Sequence, residues 1–259
     1  MALLLWWFPW YGPFTRFTKR MRHSTEARRD TLFVGDVHGC AAELEELLQR
    51  AGYSPSSHRL LLTGDAFSRG PEPLRVWEVL RDTGAEMVLG NHDDRLLSQM
   101  RDHRAGAEIR FGRPDHRRTF EALVPVLDEL LPWLEQTPLS IEGEGFLLVH
   151  AGIHPERGPG GTTREEFLAI RTWPPAGGLD GPRWHDAIEP LPGRAIVFGH
   201  DAPGGLVVKR RDPEEGGRPW AVGLDSGCVY GGKLSAWGLE RDELIQVDSR
   251  QDGESWRSG

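Results

Sequence analysis

Thr31-Leu32-Phe33-Val34-Gly35-Asp36-Val37-His38-Gly39 is the stretch that decides the fold. An apolar, β-branched run entering a glycine reads as a buried strand that stops at a tight turn. The turn carries a carboxylate and an imidazole two residues apart. Glycines on both sides let the backbone come close to whatever the pair holds. Alone, Asp-x-His is a weak signal, since it also serves as a simple turn cap. Its weight comes from four later strand ends that finish the same way.

Beyond this turn the pattern stays regular. Leu44, Leu47 and Leu48 predict a helix over 40–52, with Gly52 as its stop. Residues 60–63 read as a second strand ending in Gly64-Asp65. A helix over 71–84 has prolines in its first turn and Leu74, Trp77 and Leu80 inward. A third strand over 87–89 ends in Gly90-Asn91-His92-Asp93. Strands and helices alternating at this pitch mean βαβ units, so the class is α/β with a largely parallel, helix-covered sheet. Residues 94–136 are charged and helical with a break near 106–114, and are expected to form a lid or cap beside the site. Strands over 146–149 and 195–198 end in His150-Ala151-Gly152 and Gly199-His200. Between them, 153–193 is rich in Pro and Gly, with one helical piece over 163–171. Residues 220–224 lead into Asp225-Ser226-Gly227; 233–239 and 244–247 are expected to close a second sheet, and the polar end after 248 to fray.

At 259 residues the chain can bury a substantial core. The formal charge of -8 argues against a surface that coats nucleic acid. The basic run Lys209-Arg210-Arg211 is expected to be a solvated hairpin tip rather than an RNA contact. The two cysteines, Cys40 and Cys228, are too few for a disulfide framework and are expected to be buried thiols in a reducing cytoplasm. The apolar, tryptophan-rich residues 1–10 are too short to span a bilayer, which needs about 20 residues, and carry no signal-peptide pattern. With the cations that follow they suit either an interfacial anchor or a loose extension. The extension is the expectation, so membrane contact through 1–22 is not.

The polar residues just past the strands are Asp36, His38, Asp65, Asn91, His92, His150 and His200. In open α/β sheets, ligands bind beyond the carboxyl ends of the strands, where such residues converge. Four of the ten histidines lie in these turns. The other six (His23, His58, His103, His116, His154 and His185) fall in polar stretches and are given no role. Mixed Asp, Asn and His donors suit Mn²⁺, Fe or Zn rather than an all-oxygen Ca²⁺ site. Two such cations about 3.5–4 Å apart clamp the attacking and leaving oxygens of a phosphoryl displacement. One carboxylate must bridge them, and Asp65 is the natural candidate.

The ordered motifs Gly-Asp-x-His-Gly (35–39), Gly-Asp-x-x-x-Arg-Gly (64–70), Gly-Asn-His-Asp (90–93), His-Ala-Gly (150–152) and Gly-His (199–200) resemble those of the PPP-type calcineurin-like metallophosphoesterases. The resemblance runs from about 31 to 247. It implies a four-layer αββα sandwich: central mixed sheets flanked by helices, with the site at the strand ends. It places that domain at 30–248, with 1–29 as an N-terminal extension and 249–259 as a flexible tail. It further implies that Asp36 and His38 hold one metal, that Asn91, His150 and His200 hold the other, and that Asp65 bridges. Mn²⁺ is the expected ion. By the same resemblance Arg69 clamps the phosphate and His92 protonates the leaving oxygen. A second phosphate arginine follows the His-Ala-Gly turn; Arg171 is the candidate and Arg164 the rival.

One departure bears on the substrate. The protein phosphatases of this family carry an aspartate before the arginine of the second motif, orienting the acid histidine; here Ser68 stands there. Without that carboxylate nothing at the position favours protonated His92. That matters most for an alkoxide leaving group and least for a phosphoanhydride. The symmetrical bis(5'-nucleosyl)-tetraphosphatases of bacteria also carry a small residue there, and they resemble this chain over Leu224-Asp225-Ser226-Gly227-Cys228-Val229-Tyr230-Gly231-Gly232-Lys233-Leu234 as well. Two features depart from that branch: a shorter, glycine-rich stretch between His150 and His200, and Asp201 where an aromatic is common. Tyr230 suits either a base stack or a sheet-edge contact. The expected activity is symmetrical hydrolysis of dinucleoside polyphosphates, with a Ser/Thr protein phosphatase or broad phosphomonoesterase as the alternative. A catalytically silent metal-binding module is the reading from another class.

Overall fold

A computed structural model of the chain describes residues 29–175, 180–212 and 216–253. The expectations for residues 1–28 and 254–259 lie outside the described residues. No helix among the described residues is long and apolar enough to cross a membrane.

The first sheet has the order β10-β9-β1-β2-β3, from β1 (Asp30–Val34), β2 (His58–Leu62), β3 (Glu86–Met87), β9 (Lys233–Gly238) and β10 (Glu243–Asp248). The second has the order β4-β5-β6-β8-β7, from β4 (Ser140–Gly143), β5 (Phe146–Val149), β6 (Ala195–Phe198), β7 (Val207–Arg210) and β8 (Pro219–Gly223). β1, β2 and β3 run parallel, as do β5, β6 and β8. The closing strands differ from expectation: β9 pairs antiparallel with β1, Phe33 opposite Trp237, and β10 follows it onto the same sheet.

Central strands buried on both faces read as continuous apolar runs, which is why the sequence shows little alternation. The two faces still divide cleanly. Leu32 and Val34 of β1 pack against the helical layer, while Phe33 faces the second sheet. There it meets Phe146 edge-on at 4.9 Å and stacks on Trp237 at 5.7 Å. In the second sheet, Phe146 and Leu148 face the first sheet, whereas Leu147 and Val149 face outward to Phe167 and Trp184. Three apolar seams therefore separate four layers, and the mixed α/β sandwich is the observed fold.

Helices α1 (Ala41–Arg50), α2 (Pro73–Thr83), α3 (Asn91–Arg104), α4 (Pro114–Leu123) and α5 (Leu127–Gln136) cover the first sheet. The stretch expected as a lid is thus part of the main core: Leu97, Met100, Phe120 and Leu131 pack into it. The short helix α6 (Arg164–Ala169) lies on the outer side of the second sheet. Lys209 and Arg210 sit within β7 rather than at its tip, paired with Asp186 and Asp242. The segment after β10 is not frayed up to residue 253. Ser249 N donates to Gly232 O at 2.9 Å, and Arg250 N donates to the buried Glu43 carboxylate at 2.8 Å.

Candidate active site

Parallel order within each sheet brings the carboxyl ends together, and the two packed sheets present them to one cluster of polar side chains. Asp36 and His38 follow β1, Asp65 follows β2, His150 follows β5 and His200 follows β6. Asn91 and His92 are the first two residues of α3, which begins three positions earlier than the helical stretch expected from residue 94. Asp65 lies at the middle. Its Oδ2 is 3.7 Å from His38 Nε2 and 3.6 Å from His150 Nε2. Two triads of mutually close donors, Asp36-His38-Asp65 and Asp65-His150-His200, share this carboxylate. Asn91 Oδ1 is 3.2 Å from His150 Nε2, and His200 Nδ1 is 3.1 Å from the same nitrogen.

The backbone is bent to make this possible. His38, Asp65, Arg69 and His200 all take left-handed φ values (48°, 52°, 74° and 69°). Such conformations cost about 1–3 kcal/mol each and persist only where surrounding bonds enforce them. Here the first two turns are laced together: His38 N donates to Asp65 O at 2.9 Å, Gly39 N to Ala66 O at 2.8 Å and Gly70 N to His38 O at 2.8 Å. Close approach explains two glycines. A Cβ on Gly90 would stand 2.1 Å from Asp65 Oδ1, and one on Gly199 would stand 1.9 Å from Asp36 Oδ1.

Second partners aim each donor. Asp36 accepts from Thr63 Oγ1 at 2.8 Å and from His200 N at 3.1 Å. Asp65 Oδ1 accepts from His92 N at 2.9 Å, leaving Oδ2 for the centre. His150 Nδ1 donates to Thr63 O at 2.8 Å, which fixes the tautomer and leaves the Nε2 lone pair facing Asn91 and His200. Lone pairs converging on one point repel unless a cation stands between them.

The protonation equilibria carry the same message. Burial, then Asp225 and Asp65, push the Asp36 carboxyl well up. Burial raises Asp65 to about 6, and it raises Asp93 and Asp225 to about 7. Burial presses His38 and His200 well down and His150 to about 4. Carboxylates short of positive charge beside neutral imidazoles are the electrostatics of a divalent-cation site. The residues present fit two such ions, one at each triad.

Around this centre opens a cavity of about 790 Å³. Arg69 and Arg171 line it, whereas Arg164 does not: it forms an ion pair with Asp94 at 2.6 Å. Arg69 Nη1 is 3.3 Å from His38 Nε2, and its guanidinium lies 5.3 Å over the Tyr230 ring. Arg171 donates to His200 O at 3.1 Å, and Asp201, 3.8 Å from it, is held by Arg183 at 2.7 Å. Asp201, odd in the sequence, is thus the anchor between two arginines. Tyr230 lines the cavity with Asp252 and Gly253.

Three residues that sequence reasoning left out belong here. Asp225 is buried in the cavity wall and follows a strand as the others do, but Leu224 rather than glycine directly precedes it. Asp93 accepts from Asp65 N at 2.6 Å and Ala66 N at 3.2 Å, bracing the central turn; its place in the third motif was a usable signal. His116 is buried 5.9 Å from the His92 ring, with Arg95 Nη1 3.1 Å from its Nε2. Nothing local in its polar stretch predicts that.

Buried carboxylates, an amide and imidazoles at the strand ends of a two-sheet sandwich, with arginines at the mouth, define a metal-dependent phosphate hydrolase. The profile of the calcineurin-like phosphoesterases matches residues 30–215, and the chain belongs to that family. It is 32% identical to the symmetrical bis(5'-nucleosyl)-tetraphosphatase of Dechloromonas aromatica, over 84% of this chain and 95% of that protein. It is 28% identical to the protein of the same name from Chromobacterium violaceum, over 83% and 93%. A crystal structure provisionally assigned as a diadenosine tetraphosphatase has a TM-score of 0.67 and 30% identity, over 86% of this chain and 95% of that one.

Proposed function

We propose that the protein hydrolyses dinucleoside polyphosphates, splitting diadenosine tetraphosphate symmetrically into two nucleoside diphosphates. Asp36 and His38 hold one divalent cation, Asn91, His150 and His200 a second, and Asp65 both, with Mn²⁺ as the working ion. When bound, the pair supplies Lewis acidity toward the phosphate oxygens and a deprotonated water near neutral pH. Arg69 and Arg171, both lining the cavity, grip the phosphate oxygens, the fixed fork of each guanidinium matching them. His92 gives its proton to the leaving oxygen.

The observation that carries the substrate class is the state of His92. Its Nδ1 is buried with no hydrogen-bond partner. Burial, then His38, Arg69, His116 and Arg95, hold its pKa far below the usual imidazole range. An acid so weakly supplied with protons suits a leaving group that is already a stabilised phosphate. The names of the relatives point the same way. The cytoplasm is the proposed compartment, on the strength of two free, buried thiols.

A substrate panel with Mn²⁺ tests this: kcat/KM for diadenosine tetraphosphate is expected to exceed that for a phosphoserine peptide and for 5'-phosphorylated RNA. Faster phosphopeptide turnover would instead assign the chain to the protein phosphatases. Ser68→Asp probes the cause. It restores the carboxylate that the protein phosphatases of the family carry at this position and is expected to raise phosphopeptide hydrolysis by about tenfold relative to dinucleotide hydrolysis, a step smaller than a full general-acid contribution. An equal effect on both substrates would remove the leaving-group argument.

A further inference from the structure

A second cluster uses none of the side chains of the Asp65 centre. The sulfurs of Cys40 and Cys228 and a carboxylate oxygen of Glu43 all lie within 4.8 Å of one another, and the three side chains are buried. Cys40 is the N-cap residue of α1 and Glu43 its third residue. Both therefore stand where unpaired helix N–H groups favour negative charge. One Glu43 oxygen, Oε1, accepts from Arg250 N at 2.8 Å and from Gln251 Nε2 at 3.0 Å, both neutral donors. The other, Oε2, is buried with no partner. An interior carboxylate oxygen left bare is costly and calls for a ligand.

We propose that Cys40, Glu43 and Cys228 hold a thiophilic divalent cation, Zn²⁺, as a structural staple. Two sulfurs and one oxygen within this distance can close to three corners of a zinc tetrahedron, and sulfur donors select zinc over manganese. The His38 carbonyl, 3.7 Å from Cys40 Sγ, offers a fourth donor. Binding breaks the two S–H bonds, forms two metal–sulfur bonds and releases the protons to solvent, with no change of oxidation state. The staple ties together three segments that wall the main cavity: the turn carrying His38, the 3-10 turn Cys228–Tyr230, and residues 250–253 through Glu43. Softness then sorts the metals, with nitrogen and oxygen donors at the Asp65 centre and sulfur beneath its wall.

The chain has only these two cysteines, so every thiol readout reports on this cluster. Full-length protein stripped of metal and loaded with Co²⁺ is expected to develop a near-ultraviolet sulfur-to-cobalt charge-transfer band. Cys228→Ala should lack the band and bind one equivalent less Zn²⁺. X-ray absorption at the zinc edge of the unaltered protein should place sulfur at about 2.3 Å. Zinc should also slow maleimide alkylation of the unaltered protein at least tenfold. An unaltered Co²⁺ protein without the band overturns the proposal whether or not the variant folds. So does a band that persists in Cys228→Ala, or a disulfide between the two cysteines in protein purified without reductant.

Discussion

Asp65→Asn is expected to lower kcat/KM for diadenosine tetraphosphate by about 10³-fold, with the fold intact. Asn preserves the size of the side chain and the oxygen that accepts from His92 N at 2.9 Å. What it removes is the anionic Oδ2 standing 3.7 Å from His38 Nε2 and 3.6 Å from His150 Nε2. The Asp65 carboxylate is common to both triads, so one substitution weakens both sites and the register between them. Electrostatic stabilisation by a cation pair is worth several kcal/mol, and each 1.36 kcal/mol is a factor of ten in rate. Asp36→Asn strikes one triad only and should cost less. Steady-state kinetics with Mn²⁺, alongside metal content, separates the two. An Asp65→Asn protein that keeps two metals per chain and stays within tenfold of normal activity would refute the shared-carboxylate reading.

Asp65 was legible in the sequence for a local reason. A buried apolar strand that runs into glycine and then a polar residue states, within seven residues, that a side chain is held at a strand end. The same local grammar located Asp36, His38, Asn91, His150 and His200, and the structure brings these residues together. Where placement depended on a distant partner, the grammar failed. The apolar pattern of β9 fits either sheet; only Trp237 meeting Phe33, about two hundred residues away in the chain, decides it. His116 looks solvent-facing until α4 packs on the core and turns it toward His92. Residues 249–253 look like a loose end because their anchor, Glu43, lies in the first helix. Asp201 reads as an oddity until Arg171 and Arg183 are seen on either side of it.

The metal-free protein is expected to lose about 2 kcal/mol of stability as pH rises from 6.5 to 8, and Mn²⁺ to abolish that loss. In this window ordinary carboxylates are already ionised and ordinary histidines, with a pKa of about 6.5, are losing their last protons. Here burial raises Asp93 and Asp225 from 3.8 to about 7, and raises Asp36 well above its ordinary value. Above pH 6.5 the folded chain therefore holds protons that the unfolded chain has lost. Stability falls with pH wherever the folded state binds more protons. Below 6.5 the sign reverses, since His38, His92, His150 and His200 are pressed below 6.5 by burial and stay neutral while the unfolded chain takes up protons. Burial lowers His116 and His185 as well, and these six histidines outnumber the four raised carboxylates Asp36, Asp65, Asp93 and Asp225, so the stability of the metal-free protein peaks near pH 6.5. Divalent cations replace the protons on the carboxylates. Their binding should release protons at pH 7 and stabilise most at pH 8, by about 2.7 kcal/mol at a concentration a hundred times Kd. Urea midpoints at pH 5.5, 6.5 and 8, with chelator and with Mn²⁺, read this directly. A chelated protein whose midpoint stays level or rises between pH 6.5 and 8 would mean that the buried carboxylates are not short of positive charge, and the case for a cation pair would lose its electrostatic footing.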